Sequence, residues 1–212
     1  MLIYTNGCSH TATHTTSAYQ TWPNAIINEF QPTDFLINEA RIGAGNDYIF
    51  HKSLESITKL IDDDMKPKYV FIQWSGPNRR IHCEPDGKIL HINLFDNTEL
   101  GIKFEPMASE HTIHYMFCLQ EFLKSNNIQY RFFNYMGLDT SIKNLSIFSK
   151  LDFKHIINFE LGDSIIYDGL IGYVLKNGLN RDKEGHPNSK GHLFIASTIM
   201  KEFGIEMKQT IV

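Results

Sequence analysis

Cysteine, excess positive charge and long apolar runs are scarce or missing in this chain of 212 residues. Its three cysteines show neither a CxxC motif nor the spacing of a zinc site, so we expect reduced thiols in a reducing compartment. The net charge of −4 gives no basic field for a nucleic-acid backbone. No stretch approaches the roughly 18 apolar residues of a membrane span, and the first residues lack the pattern of an export signal. We therefore expect a cytoplasmic protein that binds neither nucleic acid nor membrane.

Length and composition are those of one globular domain. Hydrophobic residues make up 42% of the chain and charged residues 21%, which is ordinary for a folded protein. Single cores grow to about 250 residues before chains divide, so residues 1–212 are expected to form a single domain. No repeat, low-complexity tract or proline-rich linker interrupts the chain.

Hydrophobic periodicity predicts strands that alternate with helices. Short apolar runs predict strands at 2–5, 34–38, 69–74 and 128–133, and helical spacing predicts helices at 22–30, 46–61, 109–126 and 190–203. A Pro-Asp-Gly turn within 81–94 predicts a β-hairpin inserted after the third strand, while residues 134–180 are loop-rich. The alternation is typical of an α/β fold with a mainly parallel sheet between helix layers.

Chemically useful groups cluster in four predicted loops. Segments 7–11, 43–47, 75–78 and 184–188 follow strands or precede the last helix, and they supply a hydroxyl, glycine amides, a side-chain amide and an imidazole. Ligands of open α/β sheets bind at the carboxyl ends of the strands. A nucleophile, oxyanion donors and a base are what acyl transfer requires.

The same segments resemble the sequence blocks of the SGNH (GDSL-type) hydrolases, in particular the short forms common in bacteriophage genomes. The blocks appear in the family's order as Gly7-Cys8-Ser9, Asn38 with Gly43, Gly76-Pro77-Asn78 and His186-Pro187. Cys8 replaces the usual aspartate of the first block. The resemblance spans nearly the whole chain and implies a three-layer αβα domain with a flavodoxin-like sheet.

The resemblance also implies a role for each block. Ser9 would be the nucleophile, and His186 the base that activates it and then the acid for the leaving group. The backbone amides of Ser9 and Gly43 and the side-chain amide of Asn78 would form the oxyanion hole. No metal ion and no organic cofactor is implied.

One position departs from the family. The family's aspartate stands three residues before the histidine, and here Lys183 occupies that position. Phage members resemble Asp-Gly-His-Pro at this point, so we expect Glu184 to orient His186, with Asp182 as the second choice. In this interpretation Glu184 contacts Nδ1 of His186 and Asp182 points to solvent. A Ser–His dyad without a carboxylate is the third possibility.

Two neighbours of these blocks are expected to contact substrate. His10 would line the pocket entrance, and Arg79 would bind an anionic substrate group, although a surface position is commoner for such an arginine. Plain structural roles compete with the catalytic ones, because Ser9 could cap a helix, Gly43 could serve a turn and His186 could simply precede a helix.

The predicted function is hydrolysis of an O-acetyl or small acyl ester, with a carbohydrate or a small molecule as the substrate. One rival is a non-catalytic phage structural or glycan-binding module on the same fold. The other is an enzyme in which Cys8 attacks instead of Ser9. A phage-encoded chain would lie in the host cytoplasm or the virion, and the sequence predicts no particular oligomeric state.

Overall fold

The computed structural model describes residues 1–12, 21–83, 89–93, 98–157, 159, 169–182 and 185–207. Strands and helices alternate along the chain as the periodicity predicts. Their bounds are β1 Leu2–Asn6, α1 Trp22–Ile27, β2 Phe35–Asn38, α2 Asn46–Asp62, β3 Tyr69–Trp74, β4 Arg79–Cys83, β5 Ile89–Asn93, α3 Thr98–Ser125, β6 Gln129–Asn134, α4 Gly169–Lys176 and α5 Ser189–Lys201.

The main sheet has four parallel strands in the order β2-β1-β3-β6. In the register Tyr4 lies opposite both Ile37 of β2 and Val70 of β3. Every residue of β3 is buried, as expected for a central strand with helices over both faces. The parallel, flavodoxin-like α/β fold is thus confirmed.

Two apolar cores lie on opposite faces of the sheet, because alternate strand residues point to opposite sides. Val70, Ile72 and Trp74 of β3 pack with the apolar faces of α2 and α3. Tyr69 and Phe71 pack with α1, α4 and α5. Helices on both faces give the three αβα layers.

The inserted hairpin is present after β3. Its strands β4 and β5 are antiparallel, with Arg79 opposite Asn93 and Cys83 opposite Ile89. The predicted Pro-Asp-Gly turn lies outside the described residues.

Two helices differ from the prediction. Helix α3 starts at Thr98 rather than near residue 109, and it contains Pro106. A proline inside a helix is costly, so the residues around Pro106 carry a weak helix signal. In the loop-rich region, α4 was not predicted, although its buried Leu170 and Val174 stand at helical spacing. Short 3₁₀ helices at Thr140–Asn144, Phe148–Lys150 and Phe153–His155 fill much of the rest of the described part of that region.

Among the described helices, none is long and apolar enough to cross a membrane.

Candidate active site

Ser9 and His186 meet where β1 ends and α5 is about to begin. The Oγ atom of Ser9 lies 2.9 Å from Nε2 of His186, across 177 positions of sequence. The expected hydrogen bond between these two side chains is confirmed. Ser9 is 7% exposed, so its hydroxyl lies in a largely desolvated position.

The turn that carries Ser9 is fixed to the central strand by Gln73. Oε1 of Gln73 accepts hydrogen bonds from the backbone N–H of Cys8 at 3.3 Å and from Oγ1 of Thr11 at 2.9 Å. A Cβ at Gly7 would lie 2.9 Å from the same oxygen, so only glycine fits this close approach. Because Gln73 belongs to β3, the nucleophile turn is held in register with the sheet.

Asp182 lies at the other ring nitrogen of His186. Its Oδ2 is 3.0 Å from Nδ1, and its Oδ1 accepts the backbone N–H of His186 at 3.1 Å. The chain turns back through Gly185, whose φ of 79° is a conformation that glycine adopts readily. The expectation that Asp182 points to solvent is therefore wrong, whereas Glu184 lies outside the described residues.

The pKa of Asp182 reflects opposing causes. Burial raises it, but hydrogen bonds from His186, the charge of His186 and a hydrogen bond from Arg181 together outweigh burial and lower the pKa below its ordinary value. Nε of Arg181 lies 3.4 Å from Oδ2. Asp182 is therefore ionised at neutral pH and can accept the Nδ1–H of His186, which leaves the lone pair of Nε2 facing Ser9.

His10 lies deeper than the sequence suggested. It is 5% exposed, so the expected place at a pocket entrance is wrong. Its ring stacks on Tyr135 with centroids 3.4 Å apart and on His186 with centroids 4.5 Å apart. Its Nδ1 lies 3.0 Å from Sγ of Cys8.

Tyr135 was not singled out from the sequence. Its hydroxyl donates to the carbonyl of Gly185, next to His186, and it directly follows β6. Since ligands gather at the carboxyl ends of strands, the end of β6 could have been searched like the other three.

The proposed oxyanion donors sit on loops that are tied to the nucleophile turn. The backbone N–H of Arg41 donates to the carbonyl of Gly7 at 3.1 Å, which brings the loop of Gly43 against that turn. Gly43 has a φ of 77°, so the loop requires a glycine or a strained residue there. Within the described part of the chain, the backbone N–H groups of Ser9 and Gly43 have no hydrogen-bond acceptor. Both are thus available to a ligand.

Asn78 follows β3 and is 2% exposed. Its loop is held by Asn46, the first residue of α2, which accepts the backbone N–H of Ser75 at 2.7 Å and donates to the carbonyl of Ser75 at 3.1 Å. Gly45 packs so closely on the carbonyl of Arg79 that a Cβ would collide with it. The loops of Gly43 and Asn78 are therefore held together.

Arg79 and Cys8 flank the site. Nη1 of the half-buried Arg79 lies 3.5 Å from Oγ of Ser75, and the guanidinium has no ion-pair partner among the described carboxylates. Cys8 is 1% exposed, with Sγ near His10 and 3.4 Å from Oε1 of Gln73. The hydrogen bond of Ser9 to His186 favours Ser9 over Cys8 as the nucleophile.

Other features of the described residues do not compete with this site. No group of three or more described His, Cys, Asp or Glu side chains could hold a metal ion. A depression of about 660 Å³ runs along the surface of α2 past Tyr48, His51 and Glu55, and none of the site residues lines it. The depression on α2 is therefore separate from the site formed by Ser9 and His186.

Several solved structures with a similar fold are described as esterases or lipolytic proteins. The psychrotrophic esterase EstA from Pseudoalteromonas sp., with monoethylphosphonate as inhibitor, matches with a TM-score of 0.58 and 13% identity over 96% of each chain. A protein described as lipolytic, of the G-D-S-L family from Desulfitobacterium hafniense, matches with a TM-score of 0.57 and 14% identity over 95% of this chain and 98% of its own. The lipase Lip_vut3 from a goat rumen metagenome matches with a TM-score of 0.54 and 13% identity over 95% and 97%. No family model matches the chain, and no curated protein matches its sequence. At this identity the likeness shows the fold, which is that of the SGNH hydrolases.

Proposed function

We propose that the protein is a serine ester hydrolase in which Ser9, His186 and Asp182 form the catalytic triad. The observation that carries the proposal is the chain of contacts from Oγ of Ser9 to Nε2 of His186 at 2.9 Å, and from Nδ1 to Asp182 at 3.0 Å. Nucleophile, base and orienting group within hydrogen-bond reach are the signature of an activated serine. Esterases among the structures of similar fold support the same reaction class.

In the first half-reaction, Oγ of Ser9 attacks the ester carbonyl carbon while Nε2 of His186 takes the hydroxyl proton. The carbonyl π electrons move to the oxygen and give a tetrahedral oxyanion. When the intermediate collapses, the C–O bond to the alcohol breaks and His186 returns its proton to the leaving oxygen. In the second half-reaction, water attacks the acyl-Ser9 ester with His186 again as base, releasing the acid and restoring Ser9.

The oxyanion is stabilised by donors that exist before substrate arrives. The backbone N–H groups of Ser9 and Gly43 and the side-chain amide of Asn78 are assigned to this role. Each donor of this kind contributes about 3–4 kcal/mol to transition-state stabilisation, because it is preorganised in a desolvated place.

The substrate is proposed to be an O-acetyl or other small acyl ester, on a carbohydrate or a small molecule. Ser9 is 7% exposed, which fits a small acyl group better than a long one. Arg79, next to Asn78 and without a described carboxylate partner, is assigned to an anionic group on the substrate.

The test is hydrolysis of p-nitrophenyl acetate together with labelling by a fluorophosphonate probe. We expect turnover and a label on Ser9 in the wild type, and loss of both in Ser9→Ala. His186→Ala should lower kcat by about 100-fold or more, and the double variant should be little worse, because the two groups act as a unit. Inactivation by iodoacetamide without fluorophosphonate labelling would instead favour a cysteine nucleophile, as in the alternative with Cys8. Neither turnover nor labelling would mean a non-catalytic binding module.

A further inference from the structure

His10 contacts three other side chains of the site, namely those of Cys8, Tyr135 and His186. Its ring is within 17° of parallel to the His186 ring and within 24° of parallel to the Tyr135 ring. Nδ1 is held by Sγ of Cys8 at 3.0 Å. Tyr135 also holds the backbone next to His186, because its hydroxyl donates a hydrogen bond to the carbonyl of Gly185. The rotamer of His186 is therefore constrained at its ring face as well as at Asp182.

We propose that His10 is a positioning residue that holds His186 by ring stacking and supports the imidazolium formed during catalysis, and that it does not bind substrate. The inference rests on the proposed function. A ring that is 5% exposed can stack on His186, and this positioning role takes the place of the expected role at a pocket entrance.

The stack works only while His10 is uncharged. Burial lowers the pKa of His10 well below its ordinary value, and the nearby charges of His186 and Arg79 lower it further. Arg181 acts in the same direction and Asp182 in the opposite one. Among the described residues, the Cys8 thiol and the Tyr135 phenol also contact the His10 ring. No described group offers a hydrogen bond to the buried Nε2 of His10, so the ring acts through its face.

A neutral aromatic face attracts a cation, whereas a second imidazolium would repel it. When His186 takes the proton of Ser9, its positive charge develops beside the His10 ring. Loss of the ring removes this attraction and lets the base turn away from Oγ. Attraction and alignment together are worth roughly 10- to 100-fold in rate, since small misplacements of catalytic groups have effects of this size.

The experiment compares His10→Phe with His10→Ala on p-nitrophenyl acetate. Phenylalanine keeps an uncharged ring face and removes both nitrogens. We expect kcat of His10→Phe to stay within about 5-fold of wild type, and kcat of His10→Ala to fall by about 10- to 100-fold with KM nearly unchanged. If Phe is as damaging as Ala, or if the change falls on KM, the ring nitrogens bind substrate and the inference is overturned.

His192→Ala is the matched control, because His192 is a second buried imidazole, on α5, whose Nδ1 accepts the backbone N–H of Trp22 at 3.3 Å. It should reduce thermal stability without a comparable loss of kcat. An equal loss of kcat in His192→Ala would show a general packing effect and would overturn the role of His10.

A measurement on the unmodified protein covers the case in which a variant misfolds. NMR titration of the histidine rings should show His10 neutral throughout pH 5.5–8 and the Nδ1 proton of His186 as a low-field resonance. A His10 that takes up a proton near pH 6.5, the ordinary histidine value, would overturn the inference. A wild-type protein without turnover and without fluorophosphonate labelling would overturn the proposed function instead, whatever the state of His10.

Discussion

At the residue scale, the two nitrogens of one imidazole determine what the site can do. Nδ1 of His186 faces the Asp182 carboxylate and Nε2 faces Oγ of Ser9. A carboxylate at Nδ1 fixes the tautomer that leaves Nε2 free to accept a proton, and it stabilises the imidazolium that follows. In the proposed reaction, the direction of proton transfer is therefore set by which group lies at which nitrogen of His186.

Asp182→Asn should lower kcat by about 100-fold or more, yet less than His186→Ala does, because the orienting acid matters less than the base. The amide can place its NH₂ group at Nδ1 and so favours the wrong tautomer. Steady-state kinetics on p-nitrophenyl acetate measure the effect, with Glu184→Gln as the matched carboxylate-to-amide control. A silent Asp182→Asn with a damaging Glu184→Gln would reverse the assignment.

Asn78→Ala should lower kcat by about 100-fold while KM changes little. In the proposed oxyanion role, the charge that Asn78 would stabilise exists in the transition state and hardly in the bound substrate. Rates measured over a full range of substrate concentration separate the two constants. A change confined to KM would assign Asn78 to substrate binding.

The sequence predicted which residues would meet but not how the acid would be arranged. Gly-x-Ser after a strand and His-Pro before a helix resemble two blocks of the SGNH hydrolases, and this resemblance identified Ser9 and His186. Asp182 and Glu184 flank the same position in sequence, and only the turn through Gly185 decides which one reaches Nδ1. The depth of His10 depends in the same way on its contacts with distant Tyr135.

At the element scale, the loops after β2 and β3 form one unit because Asn46 joins them. This buried side chain bonds both backbone groups of Ser75 and also donates to Oγ1 of Thr112 at 2.9 Å. The first residue of α2 thus links the loop of Gly43 to that of Asn78 and to α3.

Asn46→Ala should destabilise the fold by about 1–3 kcal/mol, because the buried N–H of Ser75 loses its acceptor. It should also lower kcat, since the two oxyanion loops lose their link. Ser53→Ala is the control, as Ser53 is another buried residue of α2 and binds Nδ2 of Asn6 at 3.0 Å. Urea unfolding and kinetics should show lower stability in both variants and lower kcat in Asn46→Ala alone. If Asn46→Ala kept the kcat of Ser53→Ala, the loops of Gly43 and Asn78 would not depend on Asn46 for their positions.

Elements with a strong periodic signal were predicted closely, and those with a mixed signal were not. β3 has the predicted bounds of 69–74, because a run of buried apolar residues has few alternatives. Pro106 obscured the first turns of α3, whose stability comes from packing on the sheet more than from local preference. Helix α4 is eight residues long and follows a loop-rich stretch, so its signal was weak.

At the scale of the whole molecule, a buried neutral histidine ties folding to pH. The unfolded chain exposes His10, which then gains a proton as the pH falls below about 6.5. In the folded protein burial lowers the pKa of His10 well below that value, so the folded state binds fewer protons in this range. Stability therefore rises with pH here and is lost as the solution is acidified, until the folded pKa is reached.

His10→Phe should remove this contribution. Between about pH 6.5 and 5, the wild-type free energy of unfolding should fall more steeply than that of His10→Phe, by up to about 1.4 kcal/mol per pH unit for one proton.

The pKa of His155 is also lowered, by burial and by Arg131, but His155 is present in both proteins and cancels in the difference. Asp182, whose folded pKa is also lowered, loses its contribution only at more acid pH, below the ordinary carboxylate value. Urea unfolding at pH 5.0, 5.5, 6.0 and 7.0 measures the two slopes. Parallel slopes for the two proteins would show that His10 takes up a proton as readily in the folded state as in the unfolded chain. His10 would then be charged beside His186 below about pH 6.5, against the inference.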